Sequence, residues 1–220
     1  VTKEVAAMEH PTPTLLGYRA RRPAAPLADS PAIITHIASA CDCITTPIAP
    51  GRGKPEWDHL NMAFHYPSPH AARHAAVRLG QAVDPSLTLE TLDPTIEIHA
   101  TRLYPWICYG RNDIDTVTFE VSLDSNHGGH IQPLPANATR LGLEVIALLE
   151  SPRSQRRTTL NHISFGCAPL SCNHEAKNYP INRWCLLDNI EDARRAMEDF
   201  TTDPSEPGPY MIAEVWRCTE

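Results

Sequence analysis

The chain has 220 residues, enough for one substantial core or two small lobes, and its 42% apolar and 20% charged residues are those of a globular protein. A formal charge of −7 argues against broad binding to duplex nucleic acid, while leaving room for a nucleotide in a local basic pocket. No run of apolar residues approaches the roughly 18 needed to span a bilayer, so no membrane segment is expected.

Residues 1–31 are rich in proline, alanine and charge, with Pro11, Pro13, Pro23, Pro26 and Pro31. They predict an extended Pro-rich arm ahead of a single α+β domain over 32–220, with a division into two lobes allowed. Glu4, Glu9, Arg19, Arg21 and Arg22 interrupt any leader-like apolar core. Seven cysteines are an odd number, which argues against a purely disulfide-stapled secreted protein and makes the cytoplasm the expected setting.

Residues 32–41 start apolar and β-branched and predict a strand. A proline- and glycine-rich loop follows over 47–55, then a strand over 59–66. Ser68 and Pro69 precede a helix over 70–83, in which Ala72, Ala75, Ala76, Leu79 and Val83 share one face. Strands are expected over 87–92, 95–104 and 116–123. Asn137 could cap a helix over 138–149 that aligns Leu141, Val145 and Leu148, although Gly142 and two β-branched residues leave a strand open there. A strand over 158–165 and an irregular loop over 166–185 come next. Asp188 and Glu191 form a capping-box pattern ahead of a helix with Ile190, Ala193, Met197 and Phe200 on one face. A last strand runs from Tyr210 to Arg217. The order predicts an α+β fold of two small, mainly antiparallel sheets, bilobal, with helices on the outer faces.

Two of these strands carry a histidine two positions before a small polar residue. They are His59-Leu60-Asn61 and His162-Ile163-Ser164. In a strand each histidine and its polar partner share a face, while Leu60, Met62, Ile163 and Phe165 point the other way. Two such strands lining one cleft would offer two imidazoles for acid and base work near neutral pH.

The pattern His59-x-Asn61-x-x-Phe64 before a helix, with His162-Ile163-Ser164-Phe165-Gly166, resembles the paired motifs of the two-histidine phosphoesterases, which include RNA ligase-like cyclic phosphodiesterases. The resemblance covers about 58–218. It implies a two-lobed fold and a metal-independent phosphodiesterase acting on a cyclic phosphate or small nucleotide. His59 and His162 would share base and acid roles, and Asn61 and Ser164 would hold non-bridging phosphate oxygens. Asn61 stands where the family has threonine or serine. A competing first motif, His99-Ala100-Thr101-Arg102, keeps the threonine but lacks a helix directly behind it. Arg153, Arg156 and Arg157 are candidates to meet a phosphate, and Trp57, Tyr66, Tyr104 and Trp106 to stack a base.

Other clusters point elsewhere. Cys167, Cys172, His174 and Cys185 could surround zinc with three thiolates and an imidazole. His127 and His130, with His99 or His162, could hold zinc or iron in a metalloenzyme acting on a small metabolite. A zinc-stabilised, non-catalytic binding module whose N-terminal arm docks a partner is a third reading. The phosphodiesterase reading needs no cofactor. His70 and His74 lie four apart on the predicted helix, the spacing of many zinc pairs, but with no glutamate between them surface histidines are the better reading. The expected partner is a small molecule or nucleotide, and oligomeric state is not readable.

Overall fold

The computed structural model describes residues 13–27, 30–36, 65–81, 84–109, 131–150, 163–165, 170, 178–201 and 210–219. The elements are β1 (Thr14–Leu27), β2 (Ser30–His36), α1 (Pro69–Gln81), β3 (Glu97–Tyr109), β4 (Thr139–Glu150), β5 (Ile163–Phe165), α2 (Ile190–Thr201) and β6 (Tyr210–Cys218). The described strands form one sheet in the order β2-β1-β3-β6-β4-β5, with every neighbouring pair antiparallel. The α+β class follows. The second of the two expected sheets is not among the described residues. No described helix is long and apolar enough to cross a membrane.

Part of the expected surface arm is a strand inside the sheet. In β1, Leu16, Tyr18 and Ala20 alternate with Gly17, Arg19 and Arg21, and all but Gly17 are named among the fully or almost fully buried residues. Period-two alternation outweighs the prolines because of where they stand. β1 pairs with β3 over Thr14–Arg21, and Pro23 and Pro26 fall beyond that stretch, where the register with β2 shifts. A residue without an N–H is tolerated at such irregularities.

The segment expected as a helix over 138–149 is β4. It pairs with β6 from Thr139↔Arg217 to Ala147↔Tyr210, with a register shift at Gly142. Gly142 has φ +152°, and a Cβ there would come within 2.8 Å of Leu186 Cβ and the Leu187 carbonyl. Sheet neighbours on both sides thus override a helical spacing of leucines. Asn137 caps no helix; its Nδ2 donates to the Thr219 carbonyl at 3.0 Å. The expected strand over 87–92 is a series of turns. There, Asp84, Thr88, Thr91 and Asp93 side chains bond nearby backbone N–H groups, the usual competition of short polar side chains with a ladder.

Both described helices form where the sequence places them. Ser68 Oγ accepts from the Ala71 N–H at 3.1 Å and Pro69 is the first helical residue of α1. At α2 the cap is one residue later than the Asp188–Glu191 pattern. Asn189 Oδ1 accepts from Asp192 N at 2.9 Å, and Asn189 Nδ2 donates to Asp192 Oδ2 at 2.7 Å. Helix α1 buries Ala72, Ala75, Ala76 and Val77 against Tyr18, Ala20, Ile98 and Ala100. Helix α2 buries Ala193, Ala196, Met197 and Phe200 against Leu143, Val145, Tyr210 and Ile212. Cross-strand partners Tyr18↔Ala100, Ala100↔Trp216 and Ile212↔Val145 put both helices on one face of the sheet.

Candidate functional site

The opposite face buries charged and polar groups alongside Leu103, Ala213, Val215 and Ile146. Alternation sends Arg19 and Arg21 of β1, Glu97, His99 and Thr101 of β3, Arg217 of β6 and Glu144 of β4 to that side. Register sets them in rows: Arg21 opposite Glu97, Arg19 opposite His99 and then Arg217, and Gly17 opposite Thr101. Arg19, Arg21, His99, Thr101 and Glu144 are each at most 2% exposed.

Arg21 Nη2 donates to both Glu144 Oε1 and Oε2 at 2.7 Å. Glu144 is level with Ala213 and Leu103, whereas Arg21 is level with Glu97. On a flat sheet that difference in row and strand would separate their Cα atoms by about 25 Å. The ion pair therefore requires the sheet to curl around this face. Bulges at Gly17, where φ is +126°, and at Gly142 bend it. The polar side chains face the inside of the curl.

His99 has a fixed orientation. Its Nε2 lies 3.1 Å from Glu97 Oε2, which also accepts from Arg217 Nε. Burial, only partly offset by Glu97, pushes the His99 pKa down to about 4. The imidazole is therefore neutral near pH 7. With Nε2–H donated to Glu97, Nδ1 carries a lone pair. Among the described residues that Nδ1 has no hydrogen-bond partner, nor do Thr101 Oγ1 or Arg21 Nε and Nη1, all of them buried. Such atoms cost free energy when left alone and are the mark of a site shaped for a polar ligand. Burial also draws the Arg19 pKa down to about 10, with Glu144 opposing and Arg21 reinforcing the shift, which leaves Arg19 charged at neutral pH.

A second histidine shares this face. Tyr18 and Tyr66 exchange both backbone hydrogen bonds at 2.9 Å in an antiparallel bridge. Tyr66 therefore packs with Tyr18 on the helix face, and His65, fully buried, turns to the other side next to Arg19. His65, Arg19 and His99 form one row, with the arginine between the two imidazoles.

A tight turn closes over the row. Asn182 Oδ1 accepts from Trp184 N and Leu186 N, and Cys185 N donates to the Asn182 carbonyl. Cys185 takes φ +56°, a left-handed conformation that a side chain rarely adopts without a constraint. Trp184 meets His99 edge to face with ring centroids 4.6 Å apart. Cys185 is buried, and burial pushes its thiol up to about 12, with Arg21 pulling the other way. A proton therefore stays on Cys185 at neutral pH.

The sequence-predicted site divides accordingly. His59, Asn61, His162, Trp57, Arg153, Arg156, Arg157, Cys167, Cys172, His174, His127 and His130 lie outside the described residues, and Trp106 is a residue of β3. Ser164 is in β5 at the sheet edge, three strands from β3. Tyr66 is not placed to stack a base: its pairing with Tyr18 puts it in the apolar core under α1. Tyr104 joins the α2 side, where burial and then Glu214 push its hydroxyl up to about 12. Cys185 and His99 are both in the polar interior. Among the described residues no three His, Cys, Asp or Glu side chains converge as metal ligands. Sequence reasoning missed Arg19, Arg21, Glu97, Glu144, His65 and Trp184 as parts of one site. The available signal was the strict alternation Leu16-x-Tyr18-x-Ala20 against Gly17-x-Arg19-x-Arg21, and Glu97-x-His99-x-Thr101 beside it. No protein-family model matches this chain, and neither the curated proteins nor the solved structures include one that matches it.

Proposed function

We propose that the protein is a metal-independent phosphodiesterase acting on a cyclic phosphate or other small phosphodiester, with its phosphate held inside the curled sheet at His99, Thr101 and Arg21. The supporting observation is the set of buried, uncommitted polar atoms on one face: His99 Nδ1, Thr101 Oγ1 and Arg21 Nε and Nη1. The competing motif His99-Ala100-Thr101 carries the reading in place of His59-Leu60-Asn61.

In this reading His99 Nδ1 takes a proton from water as its oxygen attacks phosphorus. Glu97 holds the ring and stabilises the imidazolium that forms. His65, across Arg19, is the acid in this reading and passes a proton to the departing ester oxygen. The ring opens, leaving a phosphomonoester and a free hydroxyl, with one water consumed. Arg21, Arg19 and the Thr101 hydroxyl hold the non-bridging oxygens, where fixed donors in a water-poor interior are worth most. A second lobe with its own sheet would form the opposite wall of the cleft. The setting is the cytoplasm, and the substrate is a small molecule or nucleotide, in keeping with the charge of −7.

The test is hydrolysis of a 2′,3′-cyclic nucleotide by wild type, H65N, H99Q, H59A and H162A. The expected result is a loss of about 10²–10⁴ in kcat for H65N and H99Q, the usual worth of a positioned acid or base. H59A and H162A should stay within a few fold. Loss in H59A and H162A with H65N and H99Q intact would move the same chemistry to the other pair. Full activity in all four variants, or no turnover of any cyclic phosphate by the wild type, would refute the reading. A metalloenzyme reading gains no specific observation among the described residues.

A further inference from the structure

Helix α1 carries a feature that the proposed hydrolase does not use. His70 and His74 lie one turn apart on the same face, with ring centroids 4.2 Å apart at 62°. His70 is exposed and His74 half-buried. Neither ring has a hydrogen-bond or ion-pair partner among the described residues. The helix that presents them is fixed at its start by the Ser68 cap and along its other side by Ala72, Ala75 and Ala76, each fully buried. Two donors are thus held side by side on a rigid backbone, and neither has to give up a partner to bind.

We propose that His70 and His74 form a bidentate surface site for a divalent transition-metal ion of the class that favours imidazole, Cu2+ above Ni2+ and Zn2+. Residues at i and i+4 on a helix are close enough for both ring nitrogens to reach one ion at about 2.0–2.1 Å. The order of metals follows from the general ranking for nitrogen sites. With two protein ligands the remaining positions go to water or to a donor from solution. The positive end of the helix dipole and the neighbouring Arg73 oppose the ion, which makes the site micromolar rather than tight. No glutamate stands between the histidines, so the site binds a metal without the general base of a zinc hydrolase. A bound ion would bridge the first two turns of α1, which begins just after His65-Tyr66, and so would stiffen the start of that helix.

The experiment is calorimetric titration of the full, tag-free, chelator-stripped chain with Cu2+ and Ni2+, for wild type, H70A, H74A and the double variant. Amide NMR spectra of the wild type with substoichiometric Ni2+ accompany it. Because the chain has eleven histidines and seven cysteines, the difference between proteins is the readout. Wild type should bind one more ion than the double variant, and each single variant should weaken that site at least tenfold. Nickel should broaden signals centred on α1. Equal stoichiometry and affinity in wild type and double variant, or broadening centred elsewhere, would overturn the assignment. The NMR arm decides the matter even if a variant folds poorly. Neither arm depends on phosphodiesterase activity.

Discussion

The two faces of the sheet are held together by different physics. The helix face is a conventional apolar contact in which Ala72, Ala76, Phe200 and Met197 shed water against Tyr18, Ile98 and Ile212. One of its polar groups bonds within the fold: the Tyr18 hydroxyl donates to the Pro133 carbonyl at 2.9 Å. The opposite face is as dry, yet beside Leu103, Ala213 and Val215 it buries Arg19, Arg21, Glu144, His99 and Thr101. Burying these groups opposes folding unless each finds a partner. The contrast shows that burial alone does not define a core. One face is dry because apolar burial stabilises the chain, and the other is dry although its buried charges oppose folding unless they are paired.

Breaking the Arg21–Glu144 pair should have the largest effect. Glu144→Ala leaves a guanidinium in a dry interior, and a loss of about 3–5 kcal/mol is expected. Replacing both partners with apolar residues, as in R21M/E144L, should recover part of that loss, the rest being the attraction of Glu144 for the neighbouring Arg19. Urea unfolding of the three proteins checks this. A double variant as unstable as Glu144→Ala would show that the charges have further partners there. On the helix face the corresponding change, Phe200→Ala, should cost about 3–5 kcal/mol through a cavity, with no polar rescue available.

Acid should separate the faces next. The His99 pKa is lowered from its ordinary 6.5 to about 4, chiefly by burial. The unfolded chain binds this proton below pH 6.5 and the folded chain does not until about pH 4. Stability from this group is therefore complete above pH 6.5, falls across that window and levels off below it. The total is about 3 kcal/mol. Glu97, whose carboxyl is held low first by its bond to His99, adds to the loss on acidification. Chemical unfolding from pH 7.5 to 4 should show this slope in wild type and a flatter one in H99Q. Parallel slopes would mean that other groups dominate acid sensitivity.

The same contrast explains what was legible in the sequence. Helix α1 announced itself by Ser68-Pro69 and alanines at helical spacing, and β6 by clean alternation. These signals are local, and the structure keeps them. Strand β4 was ambiguous because Leu141, Val145 and Leu148 fit a helix, while the pairing with β6 that decides it comes from residues some 70 positions away. The polar interior was harder still. Arg19 and Arg21 among prolines look like a solvated arm until β3 is placed beside them, and the meeting of Arg21 with Glu144 depends on the curl of the whole sheet. His99-Ala100-Thr101 was visible as a motif, but its lack of a following helix lowered its standing. Here the helix that belongs to the fold, α1, precedes it.

The smallest effect sharpens the helix side. The capping-box pattern puts the start of α2 at Asp188 with Glu191, and the structure instead uses Asn189 with Asp192, through a pair of bonds at 2.9 and 2.7 Å. Asn189→Ala should therefore cost about 1 kcal/mol, while Asp188→Ala, whose side chain is exposed, should cost no more than about half of that. Thermal unfolding of the two variants at neutral pH reads the difference directly. If Asp188→Ala were the more damaging, the helix would begin one residue earlier. An extra residue at its start would lengthen α2 without turning it, so Ala193, Ala196 and Phe200 would still pack against Leu143 and Ile212.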